Sequence, residues 1–174
     1  ILQRKSNELK LIEKDLDYTA KLLYSLQSDD HNLSNVRLYE GEKDFKKILE
    51  ETLNAQNSLL VFTSTELFTS TIDLPYLHDY YKRLAANKVH SRIISSSKYS
   101  NVFKEYQLAY NLQIRSFPLL DQCNIGCYLW NDNIALISFK DDRIVCTVLQ
   151  NAELFFFFHN FLFETIWKLS THPI

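Results

Sequence analysis

The sequence predicts an α/β fold: a sandwich of helices on a mixed sheet, preceded by a separate amphipathic helix. Three observations carry this. Apolar stretches with strand and helix periodicity alternate between residues 36 and 117. Residues 122–150 (QCNIGCYLWNDNIALISFKDDRIVCTVLQ) then read as three antiparallel strands joined by polar turns. A phenylalanine-rich helix closes the chain, and connections throughout are short.

The first element is a helix over residues 1–27, with no Gly or Pro. Leu2, Leu9, Ile12, Leu16, Leu23 and Leu26 occupy a and d positions of one heptad frame, broken by Lys5 and Thr19. Two readings stay open. The stripe is the seam of a coiled-coil homodimer, or it packs on the chain's own domain. Residues 28–35 (SDDHNLSN) form a polar linker, where Asp29, Asp30 and His31 suit a solvated turn better than a metal site. The remaining residues, 36–174, form the main domain.

Within that domain Val36–Glu40 is a short strand ending at Gly41. Glu42–Ala55 is an amphipathic helix whose Phe45, Ile48, Leu49, Thr52 and Leu53 share a face, with Lys46–Glu50 and Lys47–Glu51 expected as i,i+4 pairs on the other. Leu59–Phe62 is a continuous apolar strand, expected at the centre of a largely parallel sheet. Asp73 can cap a helix that has Pro75 in its first turn and runs to Asn87. Val89–Ser95 is the third strand, a helix begins at Ser100, and Leu112–Phe117 is the fourth strand, stopped by Pro118. The strands of the meander are Cys123–Trp130, Ile134–Phe139 and Ile144–Leu149. Asn151 is the N-cap of the closing helix, whose Leu154–Leu169 stretch holds so many Phe that cover on more than one side is expected.

Composition excludes several classes. With 46% hydrophobic and 23% charged residues the chain is not disordered, and no apolar run reaches the roughly 20 residues of a membrane-spanning helix. A net charge of −2 argues against these residues contacting nucleic acid directly. The chain starts at Ile1 and contains no methionine, so a fragment of a longer protein is expected. Neither end reads as a signal peptide. Three cysteines, an odd number, suit reduced thiols in a cytoplasmic protein. Cys123, Cys127 and Cys146 lie near one another in the meander, either as buried structural thiols or as a redox pair.

Catalytic motifs are scarce. Two glycines cannot build a dinucleotide loop, a phosphate-binding loop or a nucleophile elbow, and the five histidines have no metal-ligand spacing. No metal and no cofactor is expected.

The strand VRLYEG entering an amphipathic helix, the leucine-patterned helix before it, and the run NDNIALISF leading to a last strand and helix resemble the TrmB-like transcriptional regulators. On this resemblance residues 1–27 correspond to the family's coiled-coil linker and 36–170 to its sensor domain, which has a phospholipase D-like fold. The phospholipase D motif is His-x-Lys-x4-Asp. Aligned on the hairpin, its positions fall on Asn124, Gly126 and Asn131, and an amide cannot replace the nucleophilic histidine. His90-Ser91-Arg92 is a second near-match, with Ser97 at its acidic position. The resemblance therefore implies a non-enzymatic regulatory domain of a homodimer that senses a small-molecule effector. DNA would be bound through a winged helix-turn-helix on a preceding segment, with no membrane contact. Two alternatives stay open, a phospholipase D-like hydrolase with a degenerate motif and a ligand-free oligomerisation scaffold.

A ligand site in such a sheet lies beyond the carboxyl ends of the parallel strands. That position selects Ser64, Thr65 and Glu66 after the second strand and Ser96, Ser97 and Lys98 after the third, with Asn124 and Trp130 as walls from the meander. The same residue types also serve as ordinary turn and cap residues.

Overall fold

The computed structural model describes residues 35–64, 72–97, 106–110, 112–140 and 143–171. The predicted coiled-coil helix 1–27, with its six seam residues, and the linker lie outside these, apart from Asn35. The strands are β1 (Asn35–Glu40), β2 (Leu59–Thr63), β3 (Ser91–Ser95), β4 (Gln113–Ser116), β5 (Ile125–Trp130), β6 (Asn133–Lys140) and β7 (Arg143–Gln150). The helices are α1 (Glu42–Thr52), α2 (Leu74–Ala86), α3 (Ala152–Phe157) and α4 (Glu164–Leu169), the last two joined by a π-helical turn, Phe158–Phe163. Residues 106–110 are also helical, in the stretch where the Ser100 helix was expected.

One seven-stranded sheet runs β1-β7-β6-β5-β2-β3-β4. Only β2–β3 and β3–β4 are parallel, and the other four pairings are antiparallel. The expectation of a largely parallel sheet is thus corrected. β2 is central and buried on both faces, as its apolar run requires, but the meander docks against it antiparallel. A both-sides-buried strand has the same sequence in either pairing.

The meander hairpin matches its residues. Trp130 pairs with Asn133, leaving Asn131 and Asp132 as a two-residue loop with φ of 43° and 62°. Both being positive is what a turn matched to strand twist demands, and Asn and Asp tolerate it. The Asn131 side chain adds a clamp, accepting from Gln56 N at 2.8 Å and donating to Asn54 O at 2.9 Å.

Each face of the sheet carries its own core. On one, α1 and α2 bury Phe45, Ile48, Leu49, Leu77, Tyr80 and Leu84 against Val61, Ile93, Tyr128, Ala135 and Val148. On the other, the closing helix seats Phe163 on Leu60, Phe62, Ile94, Leu129 and Ile134. Its inward residues are Phe155 and Phe158, then Phe163, Ile166 and Trp167. The five-residue step from 158 to 163 is the π turn, which keeps Phe158 and Phe163 on the inward face. Two of the three expected caps form, with Asp73 Oδ1 accepting from Tyr76 N at 2.8 Å and Asn151 Oδ1 from Leu154 N at 2.9 Å, while the third, Ser100, lies outside the described residues. The expected cover on more than one side does not form, since Phe156, Phe157 and Phe161 stay more than half exposed.

Two expected ion pairs are replaced. Glu50 accepts from both terminal nitrogens of Arg83 (2.5 and 2.8 Å) and Glu51 from both of Arg37 (2.7 and 2.9 Å). Lys46 and Lys47 turn toward the helix start instead, to Glu42 and Asp44, both at 2.7 Å. A planar guanidinium satisfies a carboxylate at two points where an ammonium offers one, so the tertiary arginines win.

Gly41 stands between β1 and α1 with φ 87° and ψ 169°, and its N–H reaches Ile144 O at 2.9 Å. Only glycine adopts this conformation readily, and no atom lies within 4 Å of an added Cβ. Gly41→Ala is therefore expected to cost about 1–3 kcal/mol through the backbone alone, read as a lower urea midpoint with unchanged slope.

Candidate functional site

Because β2, β3 and β4 are parallel, their carboxyl ends align, and antiparallel β5 begins beside them. Thr63, Ser95 and Ser116 form one row across the three tips, with Gly126 of β5 next to Thr63. Ser64 continues β2, donating its N–H to Ile125 O at 3.1 Å, and Ser96 N donates to Thr63 O at 3.2 Å. This end of the sheet is therefore lined with hydroxyls. Ser64 is buried, and its Oγ has no hydrogen-bond partner among the described residues.

Four predicted site residues come together here. Ser64 and Ser96 are buried at the tips, Asn124 is exposed just ahead of β5, and Ser97 caps the far side. Ser97 has a structural partner that the sequence did not reveal. Its N–H donates to Asp121 Oδ1 at 2.6 Å and its hydroxyl donates to Asp121 Oδ2. Asp121 sits on the short 3-10 turn Pro118–Gln122, so the pair ties the β3 exit to the connection leading into β5. Nothing local marks it, because the partners are 24 positions apart. Thr65, Glu66 and Lys98 lie outside the described residues.

Trp130 is corrected. It ends β5 at the opposite end of the sheet, opposite Asn133, and is buried in the core under α1 and α2. An antiparallel strand that begins at the site must finish away from it. The same argument separates the three aligned motif positions. Asn124 and Asn131 flank the six residues of β5, a span of roughly 20 Å. His90 precedes β3 at the end away from the tips, and Arg92 faces the closing helix, where its Nη2 donates to Glu164 Oε1 at 2.5 Å.

Chemically the tips can donate and accept hydrogen bonds but present no histidine among the described residues. His78 contacts Tyr110 OH at 3.0 Å on the α2 side, and His159 stands 3.6 Å from Glu164. No group of His, Cys, Asp and Glu that could hold a metal occurs among the described residues. Cys127 and Cys146 do not converge, and Cys123, ahead of β5, is a free thiol. Cys127 belongs to the core under the closing helix and Cys146 to the core under α1 and α2, so the sheet separates them. Burial pushes both thiols up to about 12, which leaves them un-ionised and unreactive at neutral pH.

A second concavity, which the sequence did not signal, lies along β4. It is a cleft of about 340 Å³ lined by Gln107, Gln113, Ile114, Arg115 and Trp167. Arg115 stacks on the Trp167 ring (4.5 Å to the centroid) and donates to its carbonyl at 2.6 Å. Arg92 stacks on the same indole at 5.3 Å. The Arg92 guanidinium beside Glu164 holds that carboxyl below the usual range. The contribution of this pair is therefore present above the unfolded carboxyl value of about 4.3 and lost as pH falls through the lower folded value. Glu164→Gln is expected to cost on the order of 1 kcal/mol at pH 7. The difference from the unaltered chain in urea midpoint should shrink progressively as the pH is lowered beneath the unfolded carboxyl value.

No protein-family model matches the chain, and no curated protein does. Solved structures do. That of TrmBL2, described as an archaeal chromatin protein with a novel mode of DNA binding, superposes with a TM-score of 0.56 at 14% identity over 97% of this chain. This chain spans 65% of that one. A phosphatidylserine synthase from Haemophilus influenzae Rd KW20 superposes with a TM-score of 0.54 at 13% identity, covering 73% of this chain and 36% of the enzyme. At such identities the likeness is one of fold. The α/β architecture with a mixed sheet is shared with a DNA-binding protein and with an enzyme. No helix among the described residues is long and apolar enough to cross a membrane.

Proposed function

We propose that this chain is the regulatory domain of a cytoplasmic, DNA-binding transcriptional regulator of the TrmB-like kind. It acts without enzymatic activity as a homodimer, and DNA is contacted by another part of the protein. The observation that carries this reading is the fold shared with TrmBL2 over 97% of the chain, combined with strand tips that present hydroxyls. A phosphoryl-transfer site of the phospholipase D kind needs a histidine nucleophile, and Asn124 cannot form a phosphoryl intermediate. The net charge of −2 agrees with DNA contact residing elsewhere. In this reading a small polar effector is met by Ser64 and Asn124 at the tips, and its binding shifts the spacing of the DNA-binding parts.

Two measurements test the reading. A phosphodiesterase assay on bis(p-nitrophenyl) phosphate should show no turnover. Turnover abolished by His90→Ala would restore the hydrolase alternative. A thermal-shift screen over sugars, nucleotides and phosphate should find a ligand that Ser64→Ala weakens. At 100 times its Kd, a ligand stabilises by about 2.7 kcal/mol. A screen without hits favours the ligand-free scaffold.

A further inference from the structure

The geometry points to a second copy of this chain as the occupant of the sheet face that the closing helix leaves bare. The register identifies that surface. Leu38, Thr147, Leu136, Cys127, Phe62 and Ile94 form one transverse row across β1, β7, β6, β5, β2 and β3, all facing the same way. At one end of the row Phe62 and Ile94 are sealed in the core that Phe163 completes. At the other, Leu38 is 74% exposed, and Val36 and Val145 in the flanking rows are exposed as well. The sheet thus has a covered half and an apolar trough, and no described residue fills the trough.

Beside the trough the closing helix stands up as a ridge. Phe157 and Phe161 stack at 5.7 Å between centroids, and Phe156 meets Phe161 edge-on at 6.2 Å, all three facing solvent. Three touching, exposed phenylalanines beside an exposed apolar sheet form a patch larger than monomers usually carry.

Ridge and trough lie side by side on one face, which makes the face self-complementary. A two-fold axis lying in that face sets the ridge of each copy into the trough of the other, as an isologous interface requires. The dimensions agree: a helix is about 10–12 Å across, and β1, β7 and the outer part of β6 span about the same at roughly 4.8 Å per strand. The exposed apolar side chains of ridge and trough offer on the order of 600 Å² per copy, the lower end of one partner's share in a specific interface. The ridge and trough side chains named are uncharged, while Glu40, in the same row as Val145, and exposed Arg143 two residues from it stand at the margin of the trough. This names the pairing surface of the dimer and rests on the regulator reading only for the existence of that dimer.

The test uses the full 174-residue chain in a Cys123→Ser background, because Cys127 and Cys146 are buried. Copies carrying Leu38→Cys are mixed with copies carrying Phe161→Cys and treated with a short bismaleimide. Sedimentation gives the mass of the chain and of its Phe157→Asp and Phe156→Asp variants. The expected result is a dimer that cross-links between the two kinds of copy. The Asp variants, with unchanged circular dichroism, should weaken both cross-linking and self-association about tenfold or more. A dimer that gives no cross-link and ignores both Asp variants overturns this face while the regulator reading stands. A monomer at all concentrations overturns both. Cross-linked dimers with phosphodiesterase turnover would keep the face and remove the regulator. Monomers that bind zwitterionic lipid vesicles, and lose that binding on Phe157→Asp, would give the face to a lipid surface and overturn the proposal.

Discussion

Trp130→Ala is expected to lower the stability of the chain by about 3–5 kcal/mol, the cost of emptying a large aromatic site in a packed core. Trp130 is 2% exposed at the end of β5, enclosed by the core beneath α1 and α2. Urea unfolding followed by far-ultraviolet circular dichroism measures the effect, which should appear as a lower midpoint at constant slope. The same experiment separates the two roles assigned to this residue. A tryptophan walling an open ligand site would lose ligand stabilisation while leaving the unliganded midpoint nearly unchanged. A buried one should do the reverse. A midpoint shift worth less than about 1 kcal/mol would return Trp130 to the candidate site.

The second large effect belongs to Phe163. It is fully buried, meets Phe62 edge-to-face at 5.1 Å, stacks on Trp167 at 5.7 Å and lies 5.1 Å beneath the Arg92 guanidinium. Phe163→Ala is expected to cost about 3–5 kcal/mol. It should also loosen one layer selectively, because this ring joins the closing helix to the sheet while α1 and α2 hold the opposite face. Amide exchange should therefore accelerate across residues 152–169 before it does in α2. Leu169→Ala, at a side chain 67% exposed, is the control and should stay within about 0.5 kcal/mol of the unaltered chain. Uniform acceleration over both layers would show instead that the two cores unfold as one unit.

The exposed Phe156, Phe157 and Phe161 show why cover on more than one side could not be read from the closing helix's composition. Counting phenylalanines gives the amount of apolar surface but not its partner, and within a single chain part of that surface stays in solvent. The site divides in the same way. Ser64, Ser96 and Ser97 were legible because strand ends can be read from apolar runs that stop at polar residues, and carboxyl ends of parallel strands gather together. Trp130 was misplaced because the direction of β5 depends on which strand it pairs with, and its apolar residues fit either direction. Asp121 and the Arg115–Trp167 cleft had no local signal, since each contact joins residues more than 20 positions apart.

What the sequence by itself determined is local. Helix caps at Asp73 and Asn151, the Asn131-Asp132 turn, the strand-like runs and the absence of a histidine nucleophile at the hairpin all follow from side chains acting on their own backbone or from simple chemistry. Tertiary structure alone decided how β2 and β5 run against each other, which arginines claimed Glu50 and Glu51, and which half of the second sheet face stays bare. Those outcomes are competitions between partners distant in the chain. They are won by bidentate geometry, by packing volume and by the single register that buries both faces of the central strands.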